Sequence, residues 1–479
     1  MPHVMISAAS KSSGKTTVSL GLCRALSGRG MSVQPFKKGP DYIDPMWLTE
    51  AAGRPCHNLD FRTMTPQEIT GRFGRHAQAA DIALVEGNKG LHDGMDLNGS
   101  DSNAALARVL GAPVVLVIDT QGMARGIAPL ILGYQAFAPD VRIAAVILNK
   151  VAGARHEGKL RAAIEHYTTV RVIGAIGLDP SLAITERHLG LIPTCESGAA
   201  EQTIARIAAA VGASVDLGAL TDIAATAEPL PQVSRPARAP RRGLDVRIGI
   251  ARDAAFGFYY ASDLEAFREA GAELVEFDTL RDPHLPPVEG LFIGGGFPET
   301  HLDALGANLS LRRELRAAIE GGLPVYAECG GLMYLTRRLS YEGKSYPMVG
   351  AIAADTVMEK KPAGHGYMRL EAGAHHPWAR GVLDHGPLPA HEFHYSHLEN
   401  IAPDTVYAYE VTRGTGIAGR RDGIVYKNVL AGYAHLRDVA GCPWTAAFVG
   451  FVRAVRDARL AAPPARLVRP AEMSRVQAL

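Results

Sequence analysis

The chain has 479 residues, a length at which two or three compact domains are expected rather than one. Apolar residues make up 47% of it and charged residues 21%, which excludes a disordered, collagenous or coiled-coil class for the whole chain. The 50 basic residues nearly cancel the 49 acidic ones, which argues against a dedicated surface for nucleic acid or anionic membranes.

Neither the first residues nor the cysteines indicate secretion or membrane insertion. The chain starts without the basic segment, long apolar run and small-residue cleavage site of a signal peptide. No uninterrupted apolar stretch reaches the ~20 residues that span a bilayer. The five cysteines lie far apart without CxxC spacing, which disfavours a disulfide framework and a thiolate zinc site. We expect a soluble cytoplasmic protein with no membrane or nucleic-acid partner.

Short apolar runs alternate with amphipathic segments from residue 3 to about residue 220. The runs are rich in Val, Ile and Leu and are too short for helices; they cover residues 3–8, 33–36, 81–85, 113–118, 143–148 and 170–176. Such alternation is typical of βαβ units on a buried parallel sheet.

A phosphate-binding loop follows the first predicted strand, where residues 10–17 read SKSSGKTT and a helical stretch begins. In such a turn backbone N–H groups point at phosphate oxygens, Lys15 reaches the β- and γ-phosphates, and the Thr16 hydroxyl ligates Mg²⁺. Ala9 replaces the first glycine of the GxxxxGK[ST] pattern, but the strand–loop–helix context supports an ATP site. The residues predicted to bind the nucleotide are Ser12, Ser13, Gly14, Lys15, Thr16 and Thr17.

Acidic residues follow two further predicted strands. Glu86 ends the run 81–85, where a P-loop protein places a carboxylate on the metal side. The loop 88–94 (NKGLHDG) continues from it at the carboxyl edge of the sheet, where ligands of open α/β folds bind. Residues 37–45 (KKGPDYIDP) collect two lysines and two aspartates, a pattern that is equally typical of a turn with solvated charges.

The character of the sequence changes after residue 225. Residues 226–243 carry four prolines and four arginines without an apolar face, which predicts an interdomain linker. New strand candidates follow at 246–251, 273–277, 290–293, 324–327, 406–411 and 424–429, and a helix is predicted over 443–457. We therefore predict domains over residues 1–225 and 244–460, and a loosely held tail over 461–479.

A nucleophile is predicted in residues 324–331 (PVYAECGG), which lead from a strand into a helix-like stretch over 332–339. Small residues around Cys329 permit a sharp elbow that places the sulfur at a helix N-terminus, where the thiolate is favoured. A glycine loop at 293–299 precedes it, and the amides of Gly295, Gly296 and Gly330 are predicted to form an oxyanion hole. The other four cysteines are assigned to packing.

The general base must be a histidine, and three of the 17 are candidates. His435 ends a strand-like stretch, while His391 and His394 lie in the segment HEFHYS. Spacing alone does not choose among them.

Five motifs, taken together and in order, closely resemble the cobyrinic acid a,c-diamide synthases. They are residues 38–45 (KGPDYIDP), 187–191 (RHLGL), 294–299 (GGGFPE), 328–334 (ECGGLMY) and 391–396 (HEFHYS).

The resemblance runs from residue 3 to about residue 455 and implies an α/β protein. A dethiobiotin-synthetase-like P-loop domain with a parallel sheet would be joined to a class I, triad-type glutamine amidotransferase domain. Cys329 would hydrolyse L-glutamine through a thioester with His435 as base, and ammonia would pass to the ATP site. There a tetrapyrrole acetate would be phosphorylated and amidated, first at one side chain and then at another.

The resemblance also implies roles for residues of the first domain. The residues placed at the tetrapyrrole are Asp41, Tyr42 and Ile43. The residues placed at Mg²⁺ are Thr16, Asp44 and Glu86, and Asp93 is expected to handle the phosphorylated intermediate. ATP and Mg²⁺ are the expected cofactors, and a homodimer is compatible with the family.

The loop 88–94 departs from the family pattern, Val-Met-Gly-Leu followed by an aromatic residue and Asp-Gly, although Asp93 is retained. Lys89, predicted at the substrate, and His92 could pair with extra carboxylates, which keeps a sirohydrochlorin-type or siroheme substrate as an alternative. Two other functions are weighed: cobyric acid synthase, disfavoured by GPDYIDP, and a nucleotide-switch ATPase, disfavoured by neutral charge and the Cys329 elbow. No acidic third member of the triad is identified.

Overall fold

The structure is a computed structural model that describes residues 1–187, 190–230, 243–378 and 386–461. Most of the predicted linker, residues 231–242, lies outside the described residues, as do the tail from residue 462 and two residues of the motif 187–191.

The first half of the chain is built on a seven-stranded, wholly parallel sheet. Its strands are β1 (His3–Ala8), β2 (Val33–Lys38), β3 (His57–Leu59), β4 (Ile82–Glu86), β5 (Val114–Asp119), β6 (Ile143–Val151) and β7 (Arg171–Gly177). Its helices are α1 (Lys15–Ser27), α2 (Ile43–Ala52), α3 (Pro66–Ala77), α4 (Asn103–Leu110), α5 (Ile127–Phe137), α6 (Ala154–Tyr167), α7 (Ala200–Ser214) and α8 (Leu217–Ala225). The order across the sheet is β3-β2-β4-β1-β5-β6-β7.

Both faces of this sheet are covered, which explains its near-continuous apolar strands. In β1, Val4 and Ile6 join one hydrophobic core and Met5 joins the other. Helices α1, α2, α7 and α8 pack on the first face, and α3, α4, α5 and α6 on the second. The predicted parallel sheet is present, and β1 lies between β4 and β5, where ligands of open α/β sheets bind.

The second half is built on a nine-stranded mixed sheet and a smaller four-stranded one. The first half also contains a short hairpin of β8 (Glu186–Arg187) and β9 (Gly190–Leu191). The strands of the second half are β10 (Val246–Ala251), β11 (Phe256–Phe258), β12 (Ala272–Phe277), β13 (Gly290–Ile293), β14 (Gly295–Gly296), β15 (Val325–Glu328), β16 (Thr336–Tyr341), β17 (Lys344–Pro347), β18 (Ile352–Met358), β19 (Gly364–Ala372), β20 (Leu388–His394), β21 (Ser396–Glu399), β22 (Val406–Arg413), β23 (Arg421–Tyr426) and β24 (Val429–Gly432). Its helices are α9 (Ala261–Glu269), α10 (Leu302–Ala307), α11 (Leu309–Glu320), α12 (Gly330–Leu335) and α13 (Trp444–Ala461).

The order of the large sheet is β12-β10-β13-β15-β24-β23-β22-β19-β20. The five strands from β12 to β24 are parallel, and the others are antiparallel. The small sheet has the order β17-β16-β18-β21. In the part of the chain that the structure describes, no helix combines the length and the apolarity that a bilayer crossing requires.

Two predictions of secondary structure in this half are wrong. The helix predicted over 332–339 ends at Leu335, because Thr336 is extended and β16 pairs with β17 and β18. The strand predicted over 424–429 is two strands, β23 and β24, separated by a turn in which Lys427 has a φ of 51°. Both segments have apolar spacing that fits either element, so sheet pairing decided the outcome.

The two halves meet through buried polar contacts. The Arg437 side chain, 1% exposed, donates to the carbonyl of Asn58 and to the Thr63 hydroxyl at 3.4 Å. Its guanidinium lies 5.0 Å from the centre of the Tyr260 ring. The Tyr367 hydroxyl donates to Asp60 at 2.9 Å. The segments that follow β3 therefore lie against the second half of the chain.

Candidate functional site

The phosphate-loop candidate occupies the turn between β1 and α1. Gly14 has a φ of 85°, and a Cβ at this position would lie 2.1 Å from Asn149 Nδ2. That amide nitrogen donates to the carbonyl of Ser13 at 2.9 Å. Only glycine fits this left-handed, crowded position. The hydrogen bond from Asn149 to Ser13 holds the loop in this shape.

A cluster of buried charges lies beside this loop, because β1, β2 and β4 end side by side. Lys37 Nζ lies 2.8 Å from Glu86 Oε1 and 2.5 Å from Asp44 Oδ2. Thr16 Oγ1 donates to Glu86 Oε1 at 2.7 Å, and Lys15 Nζ lies 3.7 Å from the same oxygen. The predicted metal residues Thr16, Asp44 and Glu86 are thus brought together with the predicted nucleotide-binding Lys15.

Lys37 contacts both carboxylates of this cluster, although the sequence did not single it out as a site residue. Burial alone would lower the pKa of Lys37, but Asp44 and Glu86 outweigh burial and raise it. The pKa of Lys15 is lowered by burial and by the charge of Lys37. Glu86 is fully buried, and its Oε2 has no hydrogen-bond partner among the described residues. The cluster therefore offers a ligand Lys15 and one carboxylate oxygen of Glu86, whereas the Lys37 ammonium is already bonded to Asp44, Glu86 and the carbonyl of Gly87.

The loop between β2 and α2 connects this cluster to the second half of the chain. Asp41 Oδ1 accepts from the backbone N–H groups of Ile43 and Asp44, at 2.9 and 3.1 Å, and so shapes the start of α2. Burial, together with the charge of Asp44, raises the pKa of Asp41 to about 7. The Tyr42 ring stacks on Phe258 at 5.3 Å, so it points to the second half of the chain.

A cavity of about 730 Å³ lies between the two halves. Among the predicted site residues, it is lined by Asp41, Tyr42, Ile43, Lys89, Asp93 and His435. Lys38 and Arg413 add positive charge, and burial lowers the pKa of Lys38 to about 8. His92 is not among the residues that line the cavity and lies against Tyr134 and Phe137.

The thiol candidate is positioned by a strained elbow between β15 and α12. Cys329 has a φ of 49°, an unusual value for a residue other than glycine, and is 7% exposed. A Cβ at Gly331 would lie 2.1 Å from the carbonyl oxygen of Ile293, so the elbow requires glycine here. Burial raises the pKa of the Cys329 thiol, which means that the thiol needs a base nearby in order to ionise.

The glycines predicted to form an oxyanion hole surround this elbow. A Cβ at Gly330 would lie 3.1 Å from the backbone nitrogen of Gly296. A Cβ at Gly295 would lie 2.9 Å from Cε1 of His435. The glycine loop, the elbow and His435 therefore occupy one place at the carboxyl ends of β13, β15 and β24.

The three histidine candidates have different surroundings. His435 follows β24, which pairs with β15, and its Nδ1 lies 3.4 Å from Glu328 Oε2. The His391 ring stacks on the His435 ring at 4.8 Å, and burial lowers the pKa of His391 well below the ordinary value. His394 donates from Nδ1 to the carbonyl of Ser396 at 2.8 Å and stacks on Tyr433. Of the three, His435 is the one whose ring lies against the glycine loop beside the elbow.

Glu328 is a residue that sequence reasoning missed as part of the site. Its signal is an acidic residue at the last position of a buried strand, directly before the nucleophile candidate. Among the other cysteines, Cys23, Cys56 and Cys442 are buried as expected, whereas Cys195 is exposed and its assignment to packing is wrong.

The fold and the two sites define a glutamine-dependent amidotransferase that carries a P-loop domain on the same chain. The family model described as an AAA domain matches residues 3–185, and that of the CobB/CobQ-like glutamine amidotransferase domain matches residues 247–438. A solved glutamine amidotransferase aligns with 43% of this chain and 98% of its own at 17% identity and a TM-score of 0.32.

The chain belongs to the cobyrinate a,c-diamide synthase family. It is 46% identical to the cobyrinate a,c-diamide synthase of Magnetococcus marinus over 94% of this chain and 96% of that protein. Identity to the enzyme of the same name from Methanosarcina acetivorans is 42%, over 92% and 93% of the two chains. The family resemblance, the α/β fold class and the assignment as a glutamine-dependent carbon–nitrogen ligase are confirmed.

The Gly331→Ala variant tests the elbow. The added Cβ meets a backbone oxygen that cannot move aside, so we expect a destabilisation of about 1–3 kcal/mol and slower glutamine hydrolysis. Thermal unfolding and glutamate release measure the two effects. Gly450→Ala in α13 is the matched control, because nothing lies within 4 Å of its added Cβ. A Gly331→Ala enzyme as stable and as active as this control would contradict the crowding argument.

Proposed function

We propose that this enzyme amidates the a- and c-acetate carboxylates of cobyrinate, using ATP and ammonia released from glutamine. The observation that carries the proposal is the cavity between the two halves, which is lined by Asp93 and Lys89 of the first half and by His435 of the second. Ammonia released beside His435 then enters the cavity in which the acid would be held. The family membership of the chain supports the choice of substrate.

The first half-reaction takes place at the elbow. His435 accepts the proton of the Cys329 thiol as the sulfur attacks the glutamine carboxamide carbon, and it returns that proton to the departing ammonia. The backbone N–H groups of Gly296 and Gly330 stabilise the oxyanion that forms. Water then attacks the thioester, and glutamate leaves. A buried thiol with a raised pKa makes the base indispensable.

The donor set beside the phosphate loop fits a magnesium ion. Asp44, the Thr16 hydroxyl and the partnerless Glu86 Oε2 supply the oxygen ligands that Mg²⁺ prefers. Such an ion neutralises phosphate charge when it is bound. The Lys37 ammonium holds Asp44 and Glu86 in place, and the Thr16 hydroxyl is bonded to Glu86.

The second half-reaction joins ammonia to an activated acid. Hydroxide is a poor leaving group, so an acetate oxygen first attacks the γ-phosphorus of ATP and displaces ADP. Ammonia then attacks the carbonyl carbon and phosphate departs. Lys15 and the loop amides orient the phosphates. Asp93, held by the N–H of Gly90 at 2.8 Å, lies on the cavity wall, where it can orient the phosphorylated acid. Lys38, Lys89 and Arg413 offer charge to the remaining carboxylates.

The substrate is tested by mass spectrometry of purified enzyme with ATP, Mg²⁺ and glutamine. Cobyrinate should show two successive mass decreases, each equal to the replacement of OH by NH₂. Hydrogenobyrinate, nickel-sirohydrochlorin and siroheme are assayed in parallel, and preferred turnover of one of them would replace cobyrinate as the substrate. More than two amidations, at other side chains, would instead indicate cobyric acid synthase activity.

The Cys329→Ala variant tests the division of labour between the sites. We expect it to abolish glutamine-dependent amidation, because no thioester can form, while amidation supported by added ammonium chloride persists. Product formation with each nitrogen source is the measurement, and Cys195→Ala is the control because it removes an exposed cysteine that is not part of the elbow. Loss of both activities in a folded Cys329→Ala protein would overturn the two-site scheme.

The Asp93→Asn variant tests the synthetase wall of the cavity. Removing the carboxylate charge should lower amidation of the tetrapyrrole at least ~10-fold, whereas glutamine hydrolysis stays measurable. Half-buried Asp96, which accepts from the N–H of Ser100 and does not line the cavity, supplies the control variant Asp96→Asn. Equal amidation rates in the two variants would remove Asp93 from the proposed mechanism.

A further inference from the structure

Glu328 binds both the backbone and the ring of the segment that contains His435. Its side chain is 2% exposed. Its Oε1 accepts from the Tyr326 hydroxyl at 2.7 Å and from the N–H of Leu436 at 2.9 Å, and its Oε2 lies 3.4 Å from His435 Nδ1. A carboxylate this deeply buried is costly unless each oxygen finds a donor. Because Oε1 of Glu328 already accepts two hydrogen bonds, Oε2 is the oxygen that lies next to the imidazole ring of His435.

The register of the sheet explains how a residue preceding the nucleophile reaches the base. Strand β15 ends at Glu328, and its parallel neighbour β24 ends opposite it at Gly432. The N–H of Cys329 donates to the carbonyl of Gly432 at 2.8 Å, which locks the two strand ends together. His435 lies three residues further along, beside the carboxylate of Glu328 and against Gly295 of the glycine loop.

We propose that Glu328 is the positioning residue of the glutamine-hydrolysing site, the acidic third member of a Cys329–His435–Glu328 arrangement. The charge of its Oε2, 3.4 Å from Nδ1 of His435, favours the tautomer with the proton on Nδ1, which leaves Nε2 without a proton and able to accept that of the thiol. Once His435 is charged, the same carboxylate stabilises the imidazolium. This inference rests on the proposed glutaminase roles of Cys329 and His435 and assigns a group that those roles require.

A second neighbour of the same nitrogen favours the same tautomer. The Tyr42 hydroxyl lies 3.3 Å from His435 Nδ1 and is hydrogen-bonded to the Tyr260 hydroxyl, which donates to the carbonyl of Pro40 at 3.2 Å. The Tyr260 hydroxyl has one proton and donates it to the carbonyl of Pro40, so the Tyr42 hydroxyl must be the donor in its bond with Tyr260. The oxygen of Tyr42 is then an acceptor toward Nδ1, as Glu328 is. The other titratable neighbour, His391, stacks on the ring face.

The Glu328→Gln variant separates positioning from packing. The amide oxygen can keep both bonds of Oε1, but the amide NH₂ donates where Oε2 accepted, which favours the tautomer with a proton on Nε2. We expect kcat for glutamine hydrolysis to fall at least ~100-fold, with KM changed less than about 3-fold. Ammonia-dependent amidation should be unchanged. Iodoacetamide alkylation of Cys329 should slow at neutral pH and recover as the pH rises, because hydroxide then removes the thiol proton.

Tyr326→Phe is the matched control, since it removes a donor to the same carboxylate and leaves Oε2 in place. Its glutaminase activity should stay within about 3-fold of the unmodified enzyme. The inference is overturned if Glu328→Gln hydrolyses glutamine as fast as Tyr326→Phe, or if its alkylation defect is the same at every pH. Either result leaves the proposed function intact, whereas glutamine hydrolysis by Cys329→Ala would remove that function itself.

Discussion

Two sets of parallel strands, one in each half, that direct their carboxyl ends to one cavity are the constraint on which the rest of this structure depends. Parallel strands deliver their loops to the same edge, so each sheet alone can build only one chemical site. Here the edge of the first sheet carries the phosphate loop and the carboxylates, and the edge of the second carries the thiol elbow. Because ammonia is small, uncharged and easily lost to water, the two sites can cooperate only if they share an enclosure.

The buried charges follow from that arrangement. Lys37 stands between Asp44 and Glu86, and its charge, acting against burial, lowers the pKa of Asp44 at the place where phosphates must also approach. Removing the lysine would leave negative charge uncompensated in a region with little water. The cluster therefore does two things at once: it holds oxygen ligands in position and limits the repulsion that a nucleotide would meet.

Local sequence patterns were sufficient to predict the loops around Lys15 and Cys329. Features that depend on the pairing of distant strands were harder to predict. The strand–loop–helix around Lys15 and the elbow around Cys329 are contained in short segments, so residue type and spacing were sufficient. Glu328 was not recognised because its partner, His435, comes from another strand and only the sheet register joins them. The helix predicted over residues 332–339 is wrong for a related reason. Their apolar spacing fits a helix and a strand alike, and pairing with β17 and β18 decides between the two.

Arg437 has a consequence for how material moves through the enzyme. A guanidinium that is 1% exposed and bonded to a backbone carbonyl of the other half would have to leave its partners uncovered if the halves parted. Breaking such a buried charged contact is costly compared with moving a surface loop. We therefore expect a substrate to come and go through the open side of the cavity while the halves stay docked.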